Sequence, residues 1–198
     1  MVKTPITGIP KRDSISRRRL LEGVVAGSIA LHLGDVAAKS TDPRKLPAQP
    51  EDLLSYPSWG NEVRSVCVSD IVLDSPPVLA YPQDPVSGTV REKSRLNQIL
   101  LLRFEEVELS DATKEFAVDG IVAYSGVCTH TGCSVTEWAS AERNLLCPCH
   151  GSQFNPRERA TIIGGPALRP LPILPLGLDG EKLKVAGAFS GRVGAKKK

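Results

Sequence analysis

The sequence predicts an all-β protein. Three observations carry that reading. Short apolar or alternating runs recur at 62–68, 78–81, 98–109, 120–124, 144–146, 161–163, 173–178 and 182–185, with turn residues between them. The dipeptides Asp119-Gly120 and Asp179-Gly180 are hairpin-turn signals. Only 110–117 has a brief helical character, with Ser110 as its candidate N-cap.

The first element in chain order is unlike the rest. Lys3, Lys11 and Arg12 precede Ser16-Arg17-Arg18-Arg19-Leu20-Leu21, a run that resembles a twin-arginine export motif. An apolar stretch over 23–33 follows, and Val36-Ala37-Ala38 reads as a small-residue cleavage site. Glu22, His32 and Asp35 interrupt the stretch, so its clean run is about half of the ~20 apolar residues a spanning helix needs. Residues 1–38 are therefore read as a signal segment cleaved near Ala38. Retention as an uncleaved membrane anchor is the alternative. The segment holds six Lys or Arg against three Asp or Glu, which leaves 39–198 with equal numbers of the two. The basic tail at 191–198 ends in three lysines without interleaved aromatics, so nothing points to nucleic acid.

Residues 39–60, rich in Pro and polar side chains, read as a linker or extended arm. What remains is long enough for one domain with a real core, at 61–190. Cys67 lies in an apolar run and reads as an inert core thiol. The stretch 82–93, with two prolines and mixed charges, reads as a loop insertion. The strand at 120–124 delivers Cys128 to a loop tip, and the strand at 144–146 leads into a second loop. Two hairpins thus present two loops from a small β subdomain at about 125–168. That subdomain is inserted into a larger antiparallel base formed by 61–118 and 168–190.

The two loops hold the chemistry. Cys128-Thr-His130-Thr-Gly-Cys133 and Cys147-Pro-Cys149-His150-Gly-Ser152 contain four of the five cysteines and two of the three histidines. Thiolates and neutral imidazoles select iron–sulfur clusters, zinc or copper. Each loop offers one pair: Cys128 with His130, and Cys147 with His150. Gly132 and Gly151 let the backbone turn tightly, and Pro148 stiffens the second loop. A structural Cys2His2 zinc site is the bland alternative, although zinc modules space their ligands C-x2-4-C and H-x3-5-H.

The paired motifs resemble those of Rieske iron–sulfur proteins. The resemblance implies a Rieske-type antiparallel β-sandwich base, with a cluster-binding subdomain carrying a 2Fe–2S cluster. By motif position, Cys128 and Cys147 would bind one iron, and His130 and His150 the second, outer iron. Such ligation gives potentials of ~−150 to +300 mV. Cys133 and Cys149 fall where respiratory members have a disulfide between the loops. Ser152 matches a serine whose hydroxyl bonds a cluster sulfide. Gly164-Gly165-Pro166-Ala167 resembles the loop, with Pro166 as its proline, that covers the cluster. Phe154 stands where cytochrome bc members have a tyrosine, and Thr131 where they have a leucine.

The resemblance implies electron transfer. A self-contained Rieske oxygenase would need a second iron held by two further histidines and a carboxylate, and beyond the leader only His130 and His150 occur. Two settings fit. The first is a subunit of an exported oxidoreductase with a molybdenum-type catalytic subunit, similar to the arsenite oxidase small subunit, which shares the twin-arginine leader and the phenylalanine. The second is the Rieske subunit of a cytochrome bc complex that oxidises quinol, with cytochrome b or c as partner. Either places the protein in the periplasm, free or membrane-anchored, where a disulfide persists.

Overall fold

The computed structural model describes residues 42–196. The expected leader and the last two lysines lie outside the described residues. The strands are β1 (Leu53–Ser55), β2 (Val78–Gln83), β3 (Ile99–Arg103), β4 (Ile121–Ser125), β5 (Glu137–Ala139), β6 (Asn144–Cys147), β7 (Ser152–Asn155), β8 (Thr161–Gly164), β9 (Ile173–Leu174), β10 (Leu176–Asp179) and β11 (Lys182–Val185), with one short helix, α1 (Asp111–Lys114). They form two sheets, every ladder antiparallel. The base has the order β10-β11-β1-β2-β3-β4-β9, and a smaller sheet has the order β5-β6-β7-β8. Only Pro175 separates β9 from β10, which lie at opposite ends of the base order. The two edges therefore meet, and the base curls into a nearly closed barrel. Proline cannot donate to a ladder, so the strand expected over 173–178 breaks there.

Side-chain alternation in β3 and β4 builds two cores. Ile99, Leu101, Ile121 and Ala123 point into the barrel with Leu54, Val66, Leu174, Leu183 and Val185. Leu100, Leu102, Val122 and Tyr124 point the other way, onto Leu145, Phe154, Ala160, Leu171 and the thiols Cys128 and Cys147. Both faces of these strands are buried, which is why they read as continuous apolar runs rather than alternating ones.

Two clamps hold the small sheet on the base. The buried Tyr124 hydroxyl donates to the Pro156 carbonyl at 2.6 Å; burial pushes its ionisation far above the ordinary phenol range. Across from Pro156 in the hairpin register, Arg143, in the β5–β6 turn, bridges Asp74 (2.6 Å) and Glu108 (3.0 Å) of the base. Those two carboxylates raise the Arg143 pKa.

Several expectations change. The 39–60 linker contributes β1, a central strand between β11 and β2. It is anchored by a buried ion pair: Asp52 accepts from Arg91 at 2.8 and 2.9 Å, with both side chains about 95% buried. Breaking such a pair costs ~3–5 kcal/mol. Arg91 lies in the expected insertion at 82–93, which is instead a closed turn. There Asp84 accepts from the amides of Val86 and Ser87 at 2.9 Å. The run at 62–68 makes only isolated bridges, because Asp70 accepts from the Cys67 amide at 2.9 Å and bends the chain. Cys67 is half-buried and unpaired rather than a deep core residue. The Asp119-Gly120 turn forms as expected, with both residues at positive φ between Val118 and Ile121, which exchange backbone hydrogen bonds. The second turn shifts by one residue: Asp179 pairs with Lys182.

Candidate metal centre

The chain builds the two loops on one frame. In the first, the Cys128 amide donates to the Cys133 carbonyl at 2.8 Å, and the Gly132 amide to the Cys128 carbonyl at 3.0 Å. In the second, Cys147 pairs across the β6–β7 hairpin with Ser152, and the Gly151 amide donates to the Cys147 carbonyl at 3.0 Å. Each loop is therefore four residues between two facing positions, closed by a glycine at positive φ: +85° at Gly132 and +72° at Gly151.

The frame brings together the residues singled out from the sequence. Cys128 and Cys147 are each 1% exposed and in no disulfide. Burial, and the Cys128 thiol beside it, push the Cys147 thiol up, against the backbone amides of Cys149 and His150, which pull it down. The rings of His130 and His150 meet edge to face, 4.8 Å between centroids. Cys133 and Cys149 form a disulfide that joins the loops, and both its sulfurs lie within 4.8 Å of the Cys147 sulfur.

One atom tests whether a metal group fits here. Nδ1 of His130 is buried without a hydrogen-bond partner. A buried orphan nitrogen is costly, and it sits in the same loop as one of two buried, unpaired thiols. This donor set suits an iron–sulfur cluster.

A third loop covers the second. An added Cβ on Gly165 (φ +79°) would strike the Gly151 carbonyl and lie 2.5 Å from Ser152 Cα. The Ala167 amide donates to Ser152 Oγ at 3.2 Å, which leaves the proton of that buried hydroxyl available. Pro166 is exposed at the loop's tip. Phe154 is fully buried in the core cluster that contains Cys128 and Cys147. Thr131 is exposed, its hydroxyl 3.8 Å from the Cys133 sulfur. Thr129, which sequence reasoning did not single out, donates to the Arg169 carbonyl at 2.5 Å and ties the first loop to the segment after the third. No local signal in the sequence marks that contact, whereas Gly165 lies in a visible Gly-Gly-Pro turn.

Fold and site define a class: a small all-β metalloprotein with paired Cys/His loops. Residues 80–175 match the model of the Rieske [2Fe-2S] domain. A cytochrome bc1 complex Rieske iron-sulfur subunit of Streptomyces coelicolor is 38% identical over 200 residues, covering 93% of this chain and 54% of its own length. A Haloferax mediterranei protein, provisionally named a respiratory nitrate reductase Rieske subunit, is 45% identical over 97 residues, covering 48% of this chain and 43% of its own. The chain thus spans about half the length of these relatives. A solved chain titled as hyperthermophilic respiratory Complex III shares 28% identity over 60% of this chain and 71% of its own, with a TM-score of 0.40. Residues 80–175 are a Rieske [2Fe-2S] domain, and its cofactor is a Rieske-type 2Fe–2S cluster.

Proposed function

We propose that this chain carries one electron as the Rieske subunit of an exported, membrane-associated respiratory complex of the cytochrome bc type. The observation that carries this reading is the likeness to the Streptomyces bc1 subunit along 93% of the chain. It moves the preference away from the arsenite-oxidase-like setting, which neither the Streptomyces nor the Haloferax relative represents. In this reading Cys128, Cys147, His130 and His150 hold the cluster, and His130 binds through its orphaned Nδ1. The bound cluster supplies a one-electron couple. The protein keeps the thiols dry, staples the two loops through Cys133 and Cys149, and leaves His150 exposed where a quinol hydroxyl can reach it. Ser152, whose hydroxyl proton is free of the Ala167 bond, would donate it to the bound cluster. Phe154 offers no hydroxyl, so the potential lies below that of bc members with tyrosine. The twin-arginine leader takes the loaded chain to the periplasm.

A second reading has one observation in its favour. The Haloferax relative is the more identical over the matched stretch, and Phe154 and Thr131 both depart from the quinol-oxidising pattern. It makes the chain the electron-carrying subunit of an exported reductase with a molybdenum-type catalytic subunit. Purification from membranes decides between them. A co-purifying cytochrome b supports the first reading, and a molybdenum protein in its place overturns it. Reduced-state EPR with iron and zinc analysis tests the ligand assignment beneath both.

A further inference from the structure

Charge is sharply segregated on this domain. No Asp or Glu occurs in 120–136, 143–157 or 159–178, the segments that form all three loops of the site. Six acids instead crowd the segment from Glu105 to Asp119, against a single lysine. Beside the first loop the charged side chains are cationic, whereas Glu137, across from Leu146 at the foot of the second loop, is an exposed acid. The Arg95 guanidinium packs beside the first loop, where an added Cβ on Gly132 would lie 3.8 Å from its Nη2. Arg169 and Lys196, with Thr129, His130 and Leu168, line a groove of about 340 Å³ beside the first histidine. Arg169 directs its donors to the carbonyls of Arg192 (3.2 Å) and Gly194 (2.6 Å), and among the described residues its charge has no carboxylate partner. Neither Arg95 nor Lys196 enters an ion pair among the described residues. Inside this collar the surface is apolar: Leu168, in the groove, is 90% exposed, and Leu96, beside Gly194, 52%.

We infer that this tip docks an acidic redox protein: the apolar centre packs against it, and Arg95, Arg169 and Lys196 steer its carboxylates into place. An apolar centre with a charged rim is how protein interfaces are built. A rim of predominantly one sign raises the encounter rate with an opposite charge by ~10- to 1000-fold at low salt. The remainder of the domain cancels this field only at a distance, since exposed charges are screened beyond ~10 Å at ordinary ionic strength. The inference rests on the proposal that the tip is the electron-transfer face, and it names the partner's charge.

The test uses the full chain with its cluster, reduced and then mixed with one-electron oxidants of opposite charge. One electron leaves the protein and reduces the metal of the oxidant from the trivalent to the divalent state. Oxidation by hexacyanoferrate(III) should slow about tenfold between ~10 and ~300 mM salt, whereas oxidation by tris(phenanthroline)cobalt(III) should quicken. An acidic c-type cytochrome should accept the electron faster than a basic one. The Arg95→Glu/Lys196→Glu double variant should lose about tenfold with the anionic oxidant at low salt. Charge reversal of the distant pair Asp111→Lys/Glu115→Lys should change neither rate. Equal salt dependence for both oxidants, with the cluster spectrum intact, overturns the inference. So does sedimentation with phosphatidylglycerol vesicles that the double variant abolishes while the cytochromes show no charge preference, which assigns the collar to a lipid surface. Loss of the cluster spectrum in the unaltered chain instead overturns the reading beneath it, and the inference falls with it.

Discussion

The two ligand loops share a frame and differ in their surroundings. In both, four residues are closed by a glycine amide on a cysteine carbonyl. Histidine occupies the second loop position at His130 and the third at His150. The position facing the first cysteine is a disulfide partner, Cys133, in one loop and a hydroxyl, Ser152, in the other. The first loop is stitched into the body: the Val135 amide donates to the Gly126 carbonyl at 2.9 Å, Ser134 to Gln98 at 2.8 Å, and Thr129 to the Arg169 carbonyl. The second leans on the third loop and the disulfide, and its residues Pro148 to Gly151 are exposed. Similar local turns thus yield one half-buried histidine and one exposed to solvent, a difference set by loop position together with what packs around each turn.

Replacing a thiol breaks the comparison most severely. Cys128→Ser and Cys147→Ser should each abolish the visible and EPR signals of the cluster, whereas Cys67→Ser should leave both unchanged. Opening the disulfide with Cys133→Ser/Cys149→Ser removes a link across 16 residues and should cost about 3 kcal/mol in thermal or denaturant unfolding. Hydrogen exchange should then rise more over 148–151 than over 129–132; an equal rise would contradict the asymmetry. Gly165→Ala forces a side chain into the Gly151–Ser152 backbone and should shorten the cluster's half-life strongly. Gly151→Ala meets nothing within 4 Å and should cost only the left-handed backbone penalty of ~1–2 kcal/mol. Thr129→Val should cost about 1 kcal/mol of stability and loosen the first loop alone. The smallest effect is electronic. Ser152→Ala should lower the midpoint potential, and Phe154→Tyr should raise it, each by roughly 40 mV, the equivalent of one hydrogen bond of about 1 kcal/mol on a one-electron couple. A redox titration reads both signs.

The sequence shows the chemistry of the site more readily than its support. Cysteine and histidine are scarce in this chain, so their pairing at Cys128/His130 and Cys147/His150 stands out, and the Gly-Gly-Pro turn marks the covering loop. The β class is legible too, because β3 and β4 are buried on both faces and their apolar runs are long. β1 is not: three residues in a Pro-rich stretch become central only through the Asp52–Arg91 pair, whose partners lie 39 positions apart. The clamp from Arg143 to Asp74 spans 69 positions, and no local pattern of hydrophobicity or turn residues encodes it. β5 and β7 are short and half polar, as edges and hairpin arms of a small sheet are, and alternation over three or four residues is too brief to register. The run at 62–68 looks like a strand by composition, but a single carboxylate on the Cys67 amide bends it away.

The clamps at Tyr124 and Arg143 have a mechanical consequence. They grip the small sheet at the end remote from the ligand loops, and the core it shares with the base through Leu145 and Phe154 holds its face, so it has no hinge of its own against the barrel. The domain therefore travels as one piece: if the electron is collected at one protein and delivered at another, the whole body must carry it. The same stiffness lowers the activation barrier for each hop, since ligands that hardly shift when charge arrives leave little nuclear rearrangement to be done.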